Sequence, residues 1–465
     1  MNQHLEQIPF ERWDERYRTL AGGGMVEPAY GGPMRRHVDN GDTRLTSLKF
    51  DASASSLRLW NFLLTEEERL RAARESGRKI VGTMKDLGTV PVMAYSSPRL
   101  TAFYPDGAWW IPCVMELDAG LLEIADSLGV DESFCPVRAM LGAFATEAHF
   151  PIPDLLICSV GAVCDDFSAI AQRVNGLGHP VVWWEIPHRR APGQGEEIVR
   201  LPGGMTAPRS QVGFVELELQ RVREALDEVG GHRLSDSDLV DGIGVANEVR
   251  KELRELRHLT FTADVCPLPS LELLIAEMLA IHFCSDREET LAVLRDLVEE
   301  VRGRVESGAG FFRADAVRVF WVNPVADLRV MNLLEERGGR ICGTEYLFSH
   351  AIDEIPMDIP PMEALARVAL ADPMVGSIAD RAERICRDAR EFGSEAVLVS
   401  RIPGASHCAV EGHLVGNTVR KQLGIPVVEI EVPPVSDPMR PTLSTRLDAL
   451  IETARATRAT GNGGD

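Results

Sequence analysis

The sequence predicts an α/β protein with two parallel-sheet lobes, joined by a helical segment and preceded by an N-terminal extension. Short apolar runs alternate with segments of helical spacing, which is typical of parallel βαβ units. The alternation occurs twice and is interrupted by a long, largely helical stretch. Residues 154–168 and 395–408 also share one layout, in which a buried strand enters a small-residue loop and a cysteine opens a helix.

The composition limits the classes of partner. The chain has 465 residues, with 49 Lys plus Arg against 70 Asp plus Glu, which gives a net charge of −21. This balance disfavours nucleic acid and anionic membranes as partners. It leaves room for a local basic pocket that takes an anionic substrate. A chain of this length is expected to form two or three domains.

The cysteines and the start of the chain predict a reduced, cytoplasmic protein. Nine cysteines, an odd number, argue against a disulfide framework. The first residues lack the basic and apolar regions of a secretory signal. The most apolar helical stretch, 271–283, contains Glu272 and Glu277 and is too short to cross a bilayer. No membrane association is therefore expected.

Four segments follow from this pattern. Residues 1–75 are predicted to be an extension, of which 1–50 has no sustained period and is interpreted as an arm or extension that could pack on a partner. Apolar spacing predicts one helix over residues 55–74. The first α/β lobe is expected over 76–210, the helical connecting segment over 211–310 and the second lobe over 311–465.

Each predicted element rests on its local pattern. In the first lobe the expected strands are 79–84, 109–115, 154–162 and 180–187, and the expected helices are 117–128 and 167–174. In the connecting segment the expected helices are 215–229, 235–256, 271–283 and 288–305. Ser235, with Asp238 three residues later, is the candidate N-cap of the second of these helices.

The second lobe repeats the alternation. Its expected strands are 317–324, 339–345, 395–402 and 425–432. Its expected helices are 325–336, one from Pro361, one from Val375, 407–423, and a last helix capped by Ser444. Residues 456–465 are predicted to be a frayed tail.

Common enzyme signatures are absent from the sequence. No lysine follows a glycine, so there is no Walker A loop, and His-Glu-x-x-His and Gly-x-Ser-x-Gly are missing as well. The pairs Gly176-Leu-Gly178 and Gly242-Ile-Gly244 lack the third glycine of a dinucleotide fingerprint. The cysteines are therefore the main candidates for chemistry.

Three cysteines, Cys135, Cys164 and Cys408, lie at turns between elements. Pro136 can begin a helix directly after Cys135, and a helix N-terminus stabilises thiolates. Three thiolates gathered between the lobes could hold one iron–sulfur cluster and leave one iron open to substrate. By contrast, the thiols within or beside apolar runs are expected to be core residues: Cys113, Cys158 and Cys342.

Several titratable residues stand close in sequence to these cysteines. His407, Glu411 and His413 surround Cys408, and His149 lies upstream of the strand that leads to Cys164. Near a substrate, His149, Glu411 and His413 could move protons. The alternative for each is a solvated helix face or a hydrogen bond to a neighbouring group.

From about residue 79 to 449, the chain resembles the family of 2-hydroxyacyl-CoA dehydratase and ATP-dependent benzoyl-CoA reductase subunits. The order and spacing of several short motifs carry the resemblance: Cys135-Pro-Val-Arg, Val163-Cys-Asp, the helical pattern over 234–256, Gly339-Arg-Ile-Cys-Gly-Thr-Glu, Asp372-Pro, Cys408, Gly424-Ile-Pro-Val-Val-Glu-Ile-Glu and Ser444-Thr-Arg-Leu-Asp-Ala-Leu-Ile-Glu.

The resemblance implies two Rossmann-like or flavodoxin-like lobes and a [4Fe–4S] cluster held by Cys135, Cys164 and Cys408. It also implies an acyl-CoA substrate, a related second subunit and a separate ATP-dependent iron–sulfur activator that delivers low-potential electrons. The thioester is expected to become a ketyl-type radical anion.

Three functions remain open at this point. The reaction could be dehydration of a (R)-2-hydroxyacyl-CoA or reduction of an aromatic ring. A non-catalytic electron-relay or scaffold subunit is the alternative, with Cys158 or His407 as a conceivable fourth ligand. The third function is binding of a small ligand by two α/β lobes. All nine cysteines would then be structural, and no metal would be needed.

Overall fold

The computed structural model describes residues 4–24, 35–39, 43–84, 88–107, 120–282, 285–406, 411–434 and 436–461. Within them, two four-stranded parallel sheets are flanked by helices, which confirms the predicted two-lobed α/β fold. No helix in these ranges is long and apolar enough to cross a membrane.

The N-terminal extension packs on its own chain, whereas the sequence indicated an arm or extension that could pack on a partner. Aromatic side chains explain the difference, because Trp13, Phe50 and Trp60 form a buried cluster with ring centroids 4.0–5.9 Å apart. The predicted helix 55–74 is also two helices, which meet at Thr65. The elements are β1 (Ile8–Pro9), α1 (Phe10–Gly22), α2 (Arg35–Asp39), β2 (Lys49–Phe50), α3 (Ala54–Leu64) and α4 (Glu66–Glu75).

The first sheet has the strand order β4-β3-β5-β6, and all of its pairs are parallel. The predicted strand 109–115 lies outside the described residues, and β4 and α5 were not predicted. The elements are β3 (Lys79–Met84), α5 (Val90–Tyr95), β4 (Leu100–Phe103), α6 (Leu121–Ser127), α7 (Ala139–Thr146), β5 (Leu155–Gly161), α8 (Asp165–Gly176) and β6 (Val181–Ile186).

A short antiparallel hairpin and four long helices connect the sheets. The predicted cap is present, because the Ser235 hydroxyl accepts from the Asp238 N–H and the Asp238 carboxylate accepts from the Ser235 N–H. The elements are β7 (Ile198–Arg200), β8 (Thr206–Pro208), α9 (Arg209–Gly230), α10 (Asp236–Thr262), α11 (Ser270–His282) and α12 (Arg287–Ser307).

The second sheet has the order β10-β9-β11-β12, so both sheets place their strands as second, first, third and fourth in the chain. This shared order supports the predicted duplication. The elements are β9 (Val317–Val322), α13 (Arg329–Glu336), β10 (Gly339–Glu345), α14 (Pro361–Ala371), α15 (Ile378–Glu391), β11 (Ala396–Arg401), α16 (Gly412–Leu423), β12 (Val427–Glu431) and α17 (Arg440–Gly461).

The last helix differs from its prediction at both ends. It begins at Arg440, four residues before the predicted cap Ser444, and it continues through residues 456–461, which were predicted to fray. Packing explains the regular structure, because one face of α17 is buried against the second sheet through Leu443, Leu447 and Leu450.

Candidate active site

Cys164 lies just beyond the carboxyl end of β5, the third strand of the first sheet. The chain turns there at Gly161, whose φ is +93° and where a Cβ would lie 2.3 Å from the Ile186 carbonyl oxygen. Cys164 is the N-cap residue of α8, and its Sγ lies 3.8 Å from Oδ2 of Asp166 in the first helical turn. The predicted position of this cysteine at a helix N-terminus is confirmed.

Cys135 occupies a similar position at the start of α7. It caps a 3₁₀ turn, Pro136–Arg138, which leads directly into that helix, and Pro136 stands at the first position. The Cys135 side chain is 8% exposed and that of Cys164 is 7% exposed. Both thiols are therefore close to the surface without being open to it.

The loop that follows β11 contacts the segments of both cysteines. At Gly404, where φ is +77°, a Cβ would lie 2.6 Å from the carbonyl carbon of Phe134, which precedes Cys135. Only glycine allows this approach. Two residues later, Ser406 donates from its N–H and its hydroxyl to Asp166 Oδ2, at 2.8 and 3.0 Å. This loop of the second lobe thus joins the two thiol-bearing segments of the first.

The same loop leads toward Cys408. Because β11 and β5 occupy the same place in their sheets, the two cysteine loops follow equivalent strands, as the sequence predicted, but α16 begins at Gly412 and not at the predicted residue 407. Cys408 and His407 themselves lie outside the described residues. Within the described ranges, no three His, Cys, Asp or Glu side chains are grouped to hold a metal ion. The ligand role of Cys135, Cys164 and Cys408 therefore stays a prediction.

Two of the three predicted core thiols lie in described strands, and the third lies outside the described residues. Cys158, inside β5, and Cys342, inside β10, are fully buried, as expected. Burial raises the pKa of the Cys342 thiol, which suits a neutral core residue. Cys113 lies outside the described residues.

A buried ionic network stands at the carboxyl ends of the second sheet. Glu345, the last residue of β10, accepts two hydrogen bonds from Arg381 at 2.8 and 2.6 Å. Arg381 also donates to Asn323 Oδ1 at 2.6 Å and to the carboxylate of Glu411. Glu411 is the N-cap of α16, so Arg381 fixes the start of that helix.

His350 extends this network. Its two ring nitrogens lie 2.6 Å from Glu345 Oε1 and 3.1 Å from Asp372 Oδ1. Burial alone would raise the pKa of Glu345, but Arg381 and His350 outweigh it and lower that pKa to about 2. Burial would lower the pKa of His350, whereas Asp372 and Glu345 raise it. An ionised carboxylate and a protonated imidazole therefore stabilise each other.

The three predicted proton-moving residues have different surroundings. Glu411 is half-buried and held by Arg381. His413 lies on the exposed side of α16 and contacts Asn417 Nδ2 at 3.0 Å. His149 is half-buried, with its ring centroid 5.8 Å from that of Phe150. Their catalytic role stays a prediction.

Sequence reasoning missed the residues that tie this region together. The contact of Asp166 with Ser406 spans 240 positions of the chain, so no local pattern could indicate it. Glu345 and Asp372 stand in the motifs that carried the family resemblance, yet nothing local indicated that His350 bridges them. The sequence signal that could have located this network was the presence of polar residues, such as Asn323, directly after buried strands.

Comparison with known proteins places most of the chain in one family. The family model of the 2-hydroxyglutaryl-CoA dehydratase D-component matches residues 103–454. "Putative dehydratase subunit YjiM" of Escherichia coli (strain K12) is 23% identical over 261 residues, which cover 55% of this chain and 67% of that protein. The family match spans both cysteine loops and the buried network of the second lobe. The chain belongs to the family of 2-hydroxyglutaryl-CoA dehydratase D-components.

Proposed function

We propose that this chain is the [4Fe–4S] subunit of a 2-hydroxyacyl-CoA dehydratase and that Cys135, Cys164 and Cys408 hold the cluster. The observation that carries the proposal is the loop after β11, which contacts Phe134 beside Cys135 and Asp166 beside Cys164. Because this loop precedes Cys408 in the chain, its contacts support a site shared by three cysteine segments from the two lobes.

The residues present suit such a cluster. Thiolates are the preferred ligands of iron–sulfur clusters, and three of them leave one iron for another ligand. Cys135 and Cys164 are almost fully buried, which limits access of water and oxidants. A bound cluster would supply a low-potential electron to the thioester carbonyl of the substrate.

The second lobe gives the site its rigidity. Arg381 is 1% exposed and bonds Glu345, Asn323 and Glu411, so the chain directly after the Cys408 segment is fixed to the sheet. On the other side, Asp166 holds Ser406. Glu411 is the nearest titratable group in sequence to Cys408 among the described residues, and we propose it as the first candidate for moving a proton.

Dehydration is the reaction that the comparisons favour. Both the family description and the name of the bacterial relative refer to a dehydratase. Loss of water from a 2-hydroxyacyl-CoA is redox-neutral, whereas reduction of an aromatic ring by one double bond consumes two electrons. A limiting amount of reductant therefore separates the reactions, because only dehydration continues over many turnovers per electron.

We further propose that the chain works with two protein partners. The word "component" in the family description fits a related second subunit. Because the sequence has no Walker A loop, a separate ATP-hydrolysing iron–sulfur activator is the proposed electron source. The substrate is an acyl-CoA thioester.

The first experiment measures iron and acid-labile sulfide per chain, with an electron paramagnetic resonance spectrum, on anaerobically purified protein. About four irons per chain, and a spectrum that a 2-hydroxyacyl-CoA perturbs, are expected. A cluster that no acyl-CoA perturbs would indicate an electron-relay or scaffold subunit instead. Absence of iron under strict anaerobiosis would contradict the proposal.

A further inference from the structure

A cavity of about 470 Å³ lies between the chain that follows β6 and the outer face of α15. Four arginines line it, Arg189, Arg190, Arg384 and Arg387, together with the carboxylates of Asp380 and Glu383. The lining side chains alone carry a net charge of +2 in a protein whose net charge is −21, and three further acids outside the lining, Glu196, Asp353 and Asp388, each pair with one of these arginines. This cavity, called the arginine pocket below, is the kind of local basic site that composition left open.

Two of the arginines are fixed in the wall of the pocket. Arg189 donates to the carbonyl oxygens of Leu370 and Asp372 at 2.6 and 3.2 Å. Arg384 makes two hydrogen bonds with Asp353, at 2.7 and 3.0 Å. Since both guanidinium groups are held by buried or half-buried partners, their positions are set before any ligand arrives.

The other two arginines stand at the rim and can change partners. Arg190 is 51% exposed and pairs with Glu196, and Arg387 is 54% exposed and pairs with its neighbour Asp388. Surface ion pairs of this kind contribute little to stability. A phosphate group accepts two parallel hydrogen bonds from a guanidinium, as the Glu196 carboxylate does from Arg190, and it carries more negative charge, so it can compete for the rim arginines.

A glycine turn keeps the pocket open beside Arg384. At Gly203, where φ is +73°, a Cβ would lie 3.0 Å from Asp353 Oδ2 and 3.3 Å from Arg384 Nη1. A side chain there would crowd the fixed ion pair, and the following Gly204 also has a positive φ, of +86°. The backbone of this turn is therefore part of the lining.

The arginine pocket is close to the candidate active site. It lies at the carboxyl end of β6, where sheets of this type bind ligands. Arg384 is one helical turn along α15 from Arg381, which holds Glu411. The pocket and the buried network of the second lobe therefore share helix α15.

We propose that the arginine pocket binds phosphate groups and that their source is the nucleotide end of a coenzyme A thioester. This inference rests on the proposed function for the choice of coenzyme A. The inference that the pocket binds phosphate groups does not rest on the proposed function, because it follows from the four arginines. Another phosphorylated metabolite would satisfy the same arginines, and the experiment separates the two sources.

The test compares ligand binding by two double variants of the full-length protein. Arg190→Gln with Arg387→Gln removes the rim charges and leaves the fixed arginines in place. Arg221→Gln with Arg313→Gln is the control, since it removes two exposed arginines, each paired with a nearby acid, outside the pocket. Calorimetry then measures the affinity for coenzyme A, for pantetheine and for inorganic phosphate.

The expected result is a loss of at least about tenfold in coenzyme A affinity in the rim variant alone, because charge-assisted hydrogen bonds are lost. Pantetheine, which lacks the nucleotide phosphates, should bind both variants equally. Equal coenzyme A affinity in both variants would contradict phosphate binding in the arginine pocket, but it would not contradict the proposed function. Binding of inorganic phosphate, but not coenzyme A, by unmodified protein would overturn the coenzyme A assignment and count against the proposed function as well.

Discussion

The carboxyl ends of the two sheets occupy equivalent places in the two lobes but carry different chemistry. In the first lobe, Gly161 ends the third strand and Cys164 follows it at the start of α8. In the second lobe, Asn323, Glu345 and Arg381 form a buried network of charged and amide groups. The strand order is the same in both sheets, so topology does not cause the difference.

The difference indicates a division of labour. Small residues and thiols leave room for a cofactor, whereas a network with several charge-assisted hydrogen bonds fixes the backbone around it. The loop after β11 belongs to the second lobe but contacts Phe134 and Asp166 of the first. The second lobe thereby places this loop against the lobe that carries Cys135 and Cys164.

The largest expected effect comes from breaking the first lobe's part of the site. Replacing Cys164 with Ser should remove most of the bound iron, because a hydroxyl is a poor ligand for an iron–sulfur cluster. Iron per chain after anaerobic purification is the measurement.

The matched control is Cys158→Ser, six residues earlier in β5. Its side chain is fully buried within the strand, and Sγ lies 3.3 Å from the Ser159 carbonyl oxygen, which a hydroxyl can also reach. Iron should stay bound in this variant. Equal iron content in the two variants would refute the ligand assignment.

A substitution in the buried network of the second lobe should lower the free energy of unfolding, whether or not iron is bound. Replacing Arg381 with Met leaves Glu345 and Glu411 without their guanidinium partner, and breaking such a buried pair costs about 3–5 kcal/mol. Chemical denaturation should show this loss of stability even in protein without iron. Arg387→Met, two turns along the same helix and 54% exposed, should change stability by less than about 1 kcal/mol. Similar losses in both variants would contradict the scaffold role of the network.

Periodicity predicted most of the fold, because buried strands and amphipathic helices leave local patterns. It also placed Cys135 and Cys164 at helix N-termini. It could not predict that Ser406 meets Asp166, since that contact depends on how two lobes dock. The burial of the N-terminal extension was missed because it depends on a long-range contact: Phe10 and Trp13 recur at helical spacing in α1, but Phe50, which packs on both, lies far along the chain.

A second buried glutamate, Glu272, has no cation partner among the described residues and can be compared with Glu345. Glu272, in α11, accepts from the Asp51 N–H and from Trp60 Nε1, and it is fully buried. Burial, helped by the charge of Asp51, raises the pKa of Glu272 to about 8. Unfolding therefore releases a proton between pH 4.5 and about 8, and stability should fall by up to about 1.4 kcal/mol per pH unit across that window.

Glu272→Gln should flatten this fall, so that the variant gains stability relative to the natural protein as the pH rises toward 8. Unfolding free energies from pH 5 to 8 provide the measurement, with the exposed Glu299→Gln as the control. Glu345 has the opposite sign, because its lowered pKa gives stability that is present above pH 4.5 and lost as the pH falls toward 2. Parallel pH profiles for Glu272→Gln and the natural protein would refute the assignment.

The smallest expected effect concerns the contact between the lobes. Ser406→Ala removes the hydroxyl bond to Asp166 and keeps the backbone N–H bond, so a loss of about 1 kcal/mol is expected on denaturation. Ser133→Ala removes a hydroxyl bond to Asp131 that is exposed and local, and it should cost less. If Ser406 also orders the loop toward Cys408, its variant should bind iron less tightly than the Ser133 variant at equal protein concentration. Identical iron affinity in the two variants would mean that the backbone contacts of Gly404 and Ser406 alone hold the second lobe's loop against the thiols of the first.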